Sequence, residues 1–410
     1  MDSVTQRLRA ALSQGARRAL TITGLLLGVD FLDEFAGVGS VSAPDIQGEL
    51  GISYAAASLI LFTVPMFAGI LLEPPIYVLA DRFPRKGFVV GGIAAMGVML
   101  VCAGFASGPW TLGIAISAWA VASGVGVGLA QATLMDAHPE DREQVMTRWV
   151  FMGALGDLAT PALVAGLALV TLGWREAFFV VGALMFAYAA LLSTRDFPDE
   201  GGKGEDNDEE DEPPLREAIR AAVGNRGLLL WLFGSSLCAM LDEVLIAFGA
   251  LYLTVALDAS ITERGALLFV MIIGDLIGLR ATEVLLAKGV RPMRLLAVSS
   301  ALCVLAFLGW LAAPTLLTSA ALGVLVGVFT GPQYPIVKAQ AYRALPGRSG
   351  MVNAVGVLFT PVEVVLPLAV GLVADHYGLR AALAVLLIQP VGLGLIATLS
   401  VSRPASPAAR

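Results

Sequence analysis

Twelve long apolar segments constrain the fold of this chain more than any other feature. They lie near residues 19–40, 55–80, 87–107, 110–135, 149–172, 176–194, 227–254, 265–287, 295–312, 315–340, 350–374 and 381–400. Each approaches the length of about 20 mostly apolar residues that an α-helix needs to cross a bilayer. A membrane β-barrel would instead show short strands of alternating hydrophobicity. The sequence therefore predicts an all-α polytopic membrane protein with twelve transmembrane helices.

The distribution of charge predicts how these helices are oriented. Of the 410 residues, 57% are hydrophobic and only 14% are charged, whereas a soluble domain carries about 25% charged residues. Lys and Arg gather in alternate connecting segments, and only Arg175, Arg264 and Arg380 fall in the loops of the opposite side. Because cytoplasmic loops are enriched in Lys and Arg, we predict a multi-pass protein of the plasma (inner) membrane with both termini in the cytoplasm.

An acidic run divides the apolar segments into two sets of six. Residues 197–222 contain a polar stretch rich in Gly, Asp and Glu, which is typical of a solvated linker. We predict that this cytoplasmic linker joins an N-terminal six-helix bundle at 19–196 to a C-terminal six-helix bundle at 223–402. Residues 1–18 are predicted to be a cytoplasmic amphipathic N-terminus, and residues 403–410 a cytoplasmic tail.

The second half of the chain repeats features of the first. Leu32-Asp33-Glu34 returns as Leu241-Asp242-Glu243, roughly half the chain later, and Asp157 in the fifth segment matches Glu363 in the eleventh. Parallel repeats with a binding site near the middle of the membrane are a known transporter design. The pattern predicts two pseudo-symmetric six-helix bundles and a small-molecule substrate.

At the end of the second segment, Asp81-Arg82-Phe83-Pro84-Arg85-Lys86 is similar to a loop signature, G-x-x-x-D-R-x-G-R-K. On this motif, the twelve segments and the acidic linker, the chain resembles the major facilitator superfamily over nearly its whole length. Tyr77 and Pro84 stand where the family pattern has Gly. The resemblance implies a secondary active transporter that works by alternating access, and it implies a gating role for Asp81, Arg82 and Arg85.

Acidic residues inside the apolar segments are the candidate substrate and proton site. An ionised acid at bilayer depth costs roughly 2.5–3.5 kcal/mol, so each needs a cavity, a partner or a proton. The candidates are Asp30, Asp33, Glu34, Asp157, Asp242, Glu243 and Glu363, with Lys338 as a neighbouring cation. Lys338 either neutralises one of these acids or binds an anionic substrate group. Asp30 has Ala239 as its repeat counterpart, and this asymmetry favours it as the coupling residue.

A second group of charged residues in the apolar segments contains both acidic and basic side chains. Its members are Glu73 in the second segment and Asp275, Arg280 and Glu283 in the eighth. Because opposite charges offset each other's cost in the membrane, this group is interpreted as an ion-pair network that links the two halves and serves gating.

The excess of acids predicts a proton-coupled transporter that exports a cationic or amine-bearing molecule by antiport. Proton symport of a neutral or anionic solute and transport of a divalent cation remain alternatives. A further alternative is a receptor or scaffold that moves no solute, and the costly intramembrane acids disfavour it. The sequence contains no nucleotide-binding loop and no credible nucleophile–base pair. We therefore expect a monomer in the lipid bilayer that is not an enzyme, has no cofactor or resident metal, uses the proton gradient and binds no nucleic acid.

Overall fold

The computed structural model describes residues 21–52, 56–57, 59–198, 215–241 and 243–401. The predicted cytoplasmic segments at 1–18 and 403–410, and most of the acidic linker, lie outside these residues. Within the described chain, eleven helical runs are long and apolar enough to cross a membrane. Together with the shorter helix Ile22–Phe35, they correspond one by one to the twelve predicted segments. The predicted fold class is confirmed.

We number these helices in chain order. The first six are α1 (Ile22–Phe35), α2 (Leu59–Ala80), α3 (Arg85–Gly104), α4 (Pro109–Ala137), α5 (Arg142–Leu169) and α6 (Trp174–Ser193). The second six are α7 (Arg226–Leu257), α8 (Ile261–Ala287), α9 (Pro292–Leu311), α10 (Leu316–Ala344), α11 (Ser349–Tyr377) and α12 (Leu379–Leu399). Three short helices, Val38–Val41, Ala43–Leu50 and Leu215–Gly224, lie between them.

Several of the long helices are locally irregular. A π-helical turn, Leu59–Thr63, opens α2 just before Pro65, and a 3₁₀ turn, Val357–Phe359, interrupts α11 just before Pro361. Proline lacks a backbone N–H and crowds the preceding turn, which explains irregularity at these places. The 3₁₀ turn Cys238–Leu241 in α7 contains no proline, and a buried side chain supports it instead.

The segment between α1 and α2 contains a short helix that the twelve apolar segments do not include. Ala43–Leu50 is helical. Pro44 occupies the first turn, where its missing N–H has no cost, and Gly51 ends the helix with a φ of 61°. Glu49 accepts hydrogen bonds from the Trp174 indole at 2.8 Å and from Arg175 Nε at 3.0 Å. This contact with the start of α6 stabilises a helix too short and polar to be recognised from its sequence.

The described chain forms two compact units. The first comprises the described residues within 1–139, 152–219 and 347–357, and the second comprises those within 140–151, 220–346 and 358–410. Each unit thus contains one short segment from the opposite half of the sequence, at the start of α5 or of α11. The division of the sequence at the 197–222 linker stays a prediction, because most of that linker lies outside the described residues.

In the first unit, glycines bring the helices close together. A Cβ atom at Gly92 of α3 would lie 2.6 Å from the Gly126 Cα of α4, and one at Gly97 would lie 3.0 Å from the Gly182 carbonyl oxygen of α6. Small residues at such crossings allow the backbones of membrane helices to approach. Gly126 of α4 therefore has a packing role against α3.

In the second unit, α8 packs on α10 in the same manner. Gly274 and Gly278 of α8 face the backbone at Val324 and Val328 of α10, with no room for a side chain at either glycine. The face of α8 that carries Gly274 and Gly278 is therefore the face that packs within its own unit.

Candidate functional site

The acids of α1 lie on its last turns, opposite two glycines of α5. A Cβ atom at Gly153 would lie 2.6 Å from Asp30 Oδ2, and one at Gly156 would lie 2.9 Å from the Glu34 Cβ. The Asp30 side chain is buried, with 8% of its surface exposed. The glycines of α5 therefore provide the space that these carboxyl groups occupy. Sequence reasoning missed this role, although the spacing Gly-x-x-Gly beside Asp157 is visible.

Glu34 and Asp157 form the central contact of the site. Their carboxyl groups lie within hydrogen-bonding reach of each other, and both side chains are exposed on the surface of the first unit. An ionised carboxyl group only accepts hydrogen bonds. A hydrogen bond between two carboxyl groups therefore requires one proton between them. The structure thus brings together two predicted site residues from different helices.

Asp33 points to a different partner from its neighbour Glu34. Its Oδ1 accepts a hydrogen bond of 2.5 Å from the Ser123 hydroxyl of α4. Adjacent helical residues point about 100° apart, which explains why the two carboxyl groups contact different helices. Ser123 was not predicted. A serine in an apolar segment indicates a hydrogen bond to an acid only when it is known which helices are in contact.

Glu73 lies beside the same acids. Its carboxyl group covers Gly124 of α4, and the charge of Asp33 acts on it. Tyr77 donates a hydrogen bond of 2.5 Å to the Gly124 carbonyl oxygen, and its hydroxyl fits against Gly128. The tyrosine at a glycine position of the family pattern is thus accommodated by glycines on α4. The sequence predicts that Glu73 belongs to one ion-pair network with the charged residues of α8. The contacts of Glu73 given above are instead with residues of the first unit.

In the second unit, Lys338 of α10 lies beside an aromatic ring. Its Nζ lies 5.7 Å from the centre of the Tyr342 ring, and Glu363 of α11 attracts its charge. A cation within about 6 Å of an aromatic ring is stabilised by the ring. The arrangement combines a cation, an aromatic face and a carboxyl group on two helices.

The repeated acids of α7 follow its 3₁₀ turn. Asp242 lies outside the described residues, and the side chain of Glu243 is not described. The Leu241 N–H donates a hydrogen bond of 2.8 Å to Gln389 Oε1, and Gln389 Nε2 donates one of 2.9 Å to Gln333 Oε1. Both glutamines are fully buried, with 0% of their surface exposed. These glutamines were not predicted from the sequence, although a glutamine in an apolar segment indicates a buried hydrogen bond.

The loop between α2 and α3 is tied to the start of α11. Asp81 accepts hydrogen bonds from the backbone N–H groups of Gly350 at 2.9 Å and Met351 at 2.8 Å. Arg85 forms ion pairs with Asp81 at 3.0 Å and with Asp136 at 2.7 Å. Burial raises the pKa of the Asp81 carboxyl group, and Arg85 and the two backbone N–H groups oppose this effect.

The remaining predicted gating residues are placed differently. Arg82 is exposed beside Asp81, and Asp275 of α8 lies against Gly331 of α10. Glu283 pairs with Arg280 on its own helix and accepts a hydrogen bond of 2.7 Å from Arg148 Nε. Glu283 is therefore a shared partner for two cations within the second unit.

A buried acid at the start of α5 was not predicted. Glu143, with 4% of its surface exposed, accepts hydrogen bonds from Gln340 at 2.7 Å and from Arg343 at 3.0 Å. These contacts attach the first turn of α5 to α10 in the second unit. Among the described residues, no group of three or more His, Cys, Asp or Glu side chains is arranged to hold a metal ion.

Twelve helices with paired acids inside them define a multi-pass transporter, and comparison with known proteins agrees. A model of the Major Facilitator Superfamily matches residues 23–360, so the chain belongs to this superfamily. It is a transporter and not an enzyme.

Individual relatives are distant. The 4-hydroxybenzoate transporter PcaK of Pseudomonas putida is 26% identical over 185 residues, which cover 44% of this chain and 40% of that protein. The match therefore spans less than half the length of this relative.

Two solved structures share the fold. The superfamily transporter FucP in its outward conformation gives a TM-score of 0.78 at 14% identity, covering 93% of this chain and 99% of that one. A variant of the E. coli fucose:proton symporter FucP gives 0.75 at 13% identity, covering 93% and 98%.

Proposed function

We propose that this protein is a proton-coupled secondary transporter in which Glu34 and Asp157 hold the coupling proton. The observation that carries this proposal is the close approach of the two carboxyl groups, which can hydrogen-bond to each other only when one of them holds a proton. Both side chains are exposed on the surface of the first unit, and in this proposal the proton exchanges with the medium. Loss of the proton leaves two like charges side by side, and this repulsion favours binding of a replacement cation.

The neighbouring acids influence how strongly the Glu34–Asp157 pair holds its proton. The Ser123 hydroxyl donates to Asp33 and so favours its ionised form. Asp30 is buried at Gly153, and its charge acts on Glu34. We infer that Asp30 helps to set how strongly the pair holds its proton. The sequence asymmetry that favours Asp30 as the coupling residue itself stays a prediction.

For the substrate, the site supports a cationic or amine-bearing molecule exchanged for protons. When the Glu34–Asp157 pair loses its proton, it can accept an ammonium group in its place. Competition between a proton and a cation for one pair of carboxyl groups couples the two fluxes, because each occupant must leave before the other binds. Export by antiport follows when protons enter down their gradient.

A second candidate is proton symport of an organic acid. Lys338 beside the Tyr342 ring is suited to an aromatic carboxylate, since the ammonium group pairs with the acid and the ring packs on the substrate. The partial similarity to a protein named as a 4-hydroxybenzoate transporter supports the same class of substrate. In this case the acids of α1 and α5 carry only the proton.

The contacts of Asp81 support a gating role for the α2–α3 loop. Two backbone N–H groups at the start of α11 donate to its carboxyl group, and Arg85 joins it to Asp136. We infer that release of these contacts accompanies the conformational change of transport. The basic residues of this loop also support its placement in the cytoplasm, with both termini on that side of the inner membrane.

One experiment separates the two substrate classes. The purified protein is reconstituted into liposomes that contain a pH-sensitive dye, and cationic amines and aromatic carboxylates are added outside in turn. Antiport makes the interior more alkaline as a cation enters, whereas symport makes it more acidic as an anion enters. Uptake of a radiolabelled solute of either class without any pH change would contradict proton coupling.

A further inference from the structure

A face of α8 beside the one that packs on α10 carries an open groove. The groove has a volume of about 590 Å³ and is lined by apolar side chains of α8 between Ile273 and Leu285, together with Arg280. Ile273, Ile277 and Ala281 recur at helical spacing, so they form one stripe on the helix. Gly274 and Gly278, which contact α10, lie on another face. The side chain of Ile277 is 51% exposed. Because this part of α8 lies within a candidate membrane span, a lipid is the occupant considered for the groove.

An excess positive charge lies at the groove. Arg280, with 63% of its side chain exposed, pairs with Glu283, and Glu283 also pairs with Arg148, which is 43% exposed. Two guanidinium groups share one carboxylate, which leaves one positive charge. A cation within a membrane-spanning helix is costly unless an anion or the interface neutralises it. Glu283 alone cannot neutralise both arginines.

The position of Arg280 indicates which leaflet is involved. Arg280 lies about two turns before the end of α8 at Ala287, and the loop that follows carries Lys288, Arg291 and Arg294. These basic residues predict that this end of the helix is cytoplasmic. The long Arg280 side chain can extend along the helix towards the inner headgroup region.

We propose that the α8 groove binds an anionic phospholipid of the inner leaflet. One acyl chain lies along the stripe formed by Ile273, Ile277 and Ala281, and the phosphate is held by Arg280 and Arg148. Guanidinium groups pair with phosphate oxygens in a bidentate geometry. The single positive charge matches a phospholipid with a net charge of −1, whereas a zwitterionic lipid already carries its own cation. The proposal does not depend on the transported substrate.

The test uses the full-length protein purified in detergent. Native mass spectrometry counts bound lipid as phosphatidylglycerol or phosphatidylcholine is titrated in. The wild type is expected to retain one phosphatidylglycerol with a clear preference over phosphatidylcholine. Arg280→Gln should weaken this binding by about tenfold, the usual effect of removing one hydrogen-bonded charge. Glu283 keeps Arg148 as its partner in this variant.

Two matched controls distinguish a site from general attraction to a basic surface. Arg294→Gln removes an exposed cation of the neighbouring loop and should leave phosphatidylglycerol binding unchanged. Ala281→Leu fills the groove without changing charge and should weaken binding, whereas Ala301→Leu, at an exposed position of α9, should not. Size-exclusion chromatography checks that each variant is folded.

Three results would overturn the proposal. The first is equal retention of both lipids by the wild type. The second is a loss with Arg294→Gln as large as that with Arg280→Gln. The third is full phosphatidylglycerol binding by Ala281→Leu, which remains decisive even if Arg280→Gln fails to fold.

Discussion

The Glu34 carboxyl group of α1 lies within hydrogen-bonding reach of the Asp157 carboxyl group of α5. The contact depends on close packing of the two helices, since no side chain fits at Gly156, one residue before Asp157. The same backbone that brings α1 and α5 together thus places two acids in a position to share a proton.

The shared proton predicts the behaviour of amide variants in transport. Asp157→Asn should preserve a hydrogen bond to Glu34 but remove the coupling proton. Exchange of labelled substrate across the membrane should continue, while substrate-driven pH changes in proteoliposomes should be lost. Glu263→Gln is the control, because Glu263 lies outside the cluster and bonds only to Ser260 in the described contacts. Wild-type pH changes in Asp157→Asn would show that the proton is carried elsewhere.

The packing of α1 on α5 predicts an effect of added volume. A Cβ atom at Gly156 would lie 2.9 Å from the Glu34 Cβ and 3.0 Å from the Phe35 N. Gly156→Ala should therefore lower the stability of the protein by about 1–3 kcal/mol, seen as a lower midpoint of thermal unfolding in detergent. Gly166→Ala in the same helix meets no atom within 4 Å and should not lower it. Equal midpoints for the two variants would mean that the helices can separate without cost.

The gating contacts predict unequal roles for two adjacent residues. Asp81→Asn leaves a single acceptor oxygen for the N–H groups of Gly350 and Met351 and weakens the pairing with Arg85. It should destabilise the protein by about 1–3 kcal/mol and expose a cysteine placed at Met351 to a membrane-impermeant thiol reagent. Arg82→Gln, at an exposed position, should change neither property. Similar effects of the two substitutions would exclude a specific contact at Asp81.

The short helix Ala43–Leu50 predicts a pH-dependent contribution from Glu49. Hydrogen bonds from Arg175 hold the pKa of Glu49 below its ordinary value of 4.5, against a small opposing effect of burial. A lowered pKa contributes stability above 4.5, and this stability is lost as the pH falls through the folded-state pKa. Because the Glu49 side chain is 49% exposed, the contribution is at most about 1 kcal/mol.

The measurement for Glu49 is thermal unfolding at several pH values. Glu49→Gln should have a lower midpoint than the wild type at neutral pH, and the difference should shrink as the solution becomes acidic. Glu140→Gln removes an exposed acid and serves as the control. A difference that grows on acidification would have the wrong sign for this contact.

The buried glutamines predict coupled effects in α7. Gln389→Leu removes the acceptor for the Leu241 N–H and the donor to Gln333, so it should cost about 1–3 kcal/mol. Adding Gln333→Leu should cost less than the sum of the single changes, because the partner is already lost. Strict additivity in thermal or denaturant unfolding would contradict the network.

The sequence predicts the helices better than the contacts between them. A run such as 87–107 needs only its length and apolarity to indicate α3, which the structure has at Arg85–Gly104. The acids of α1 and α5 are likewise visible as costly residues in apolar segments. The pairing of these acids depends on how the two helices are rotated and how closely they approach. Gly156 allows the close approach, but its sequence position does not show which helix it contacts.

Other features could not be predicted because their cause lies far away in the chain. The helix Ala43–Leu50 is stabilised by Trp174 and Arg175, which no local pattern indicates. The assignment of residues 347–357 to the first unit likewise rests on Asp81 and Asp136, more than two hundred residues earlier. In contrast, Gln333 and Gln389 show that an isolated amide in an apolar segment predicts a buried hydrogen bond.

Infrared spectroscopy of the purified protein tests the central claim most directly, because it needs no substrate. A protonated carboxyl group has a C=O stretching band distinct from that of a carboxylate. At neutral pH, the wild type should show this band, and Glu34→Gln and Asp157→Asn should each lose the same component of it, while Glu263→Gln keeps it. Spectra of both variants that match the wild type in this region would contradict a proton shared by Glu34 and Asp157.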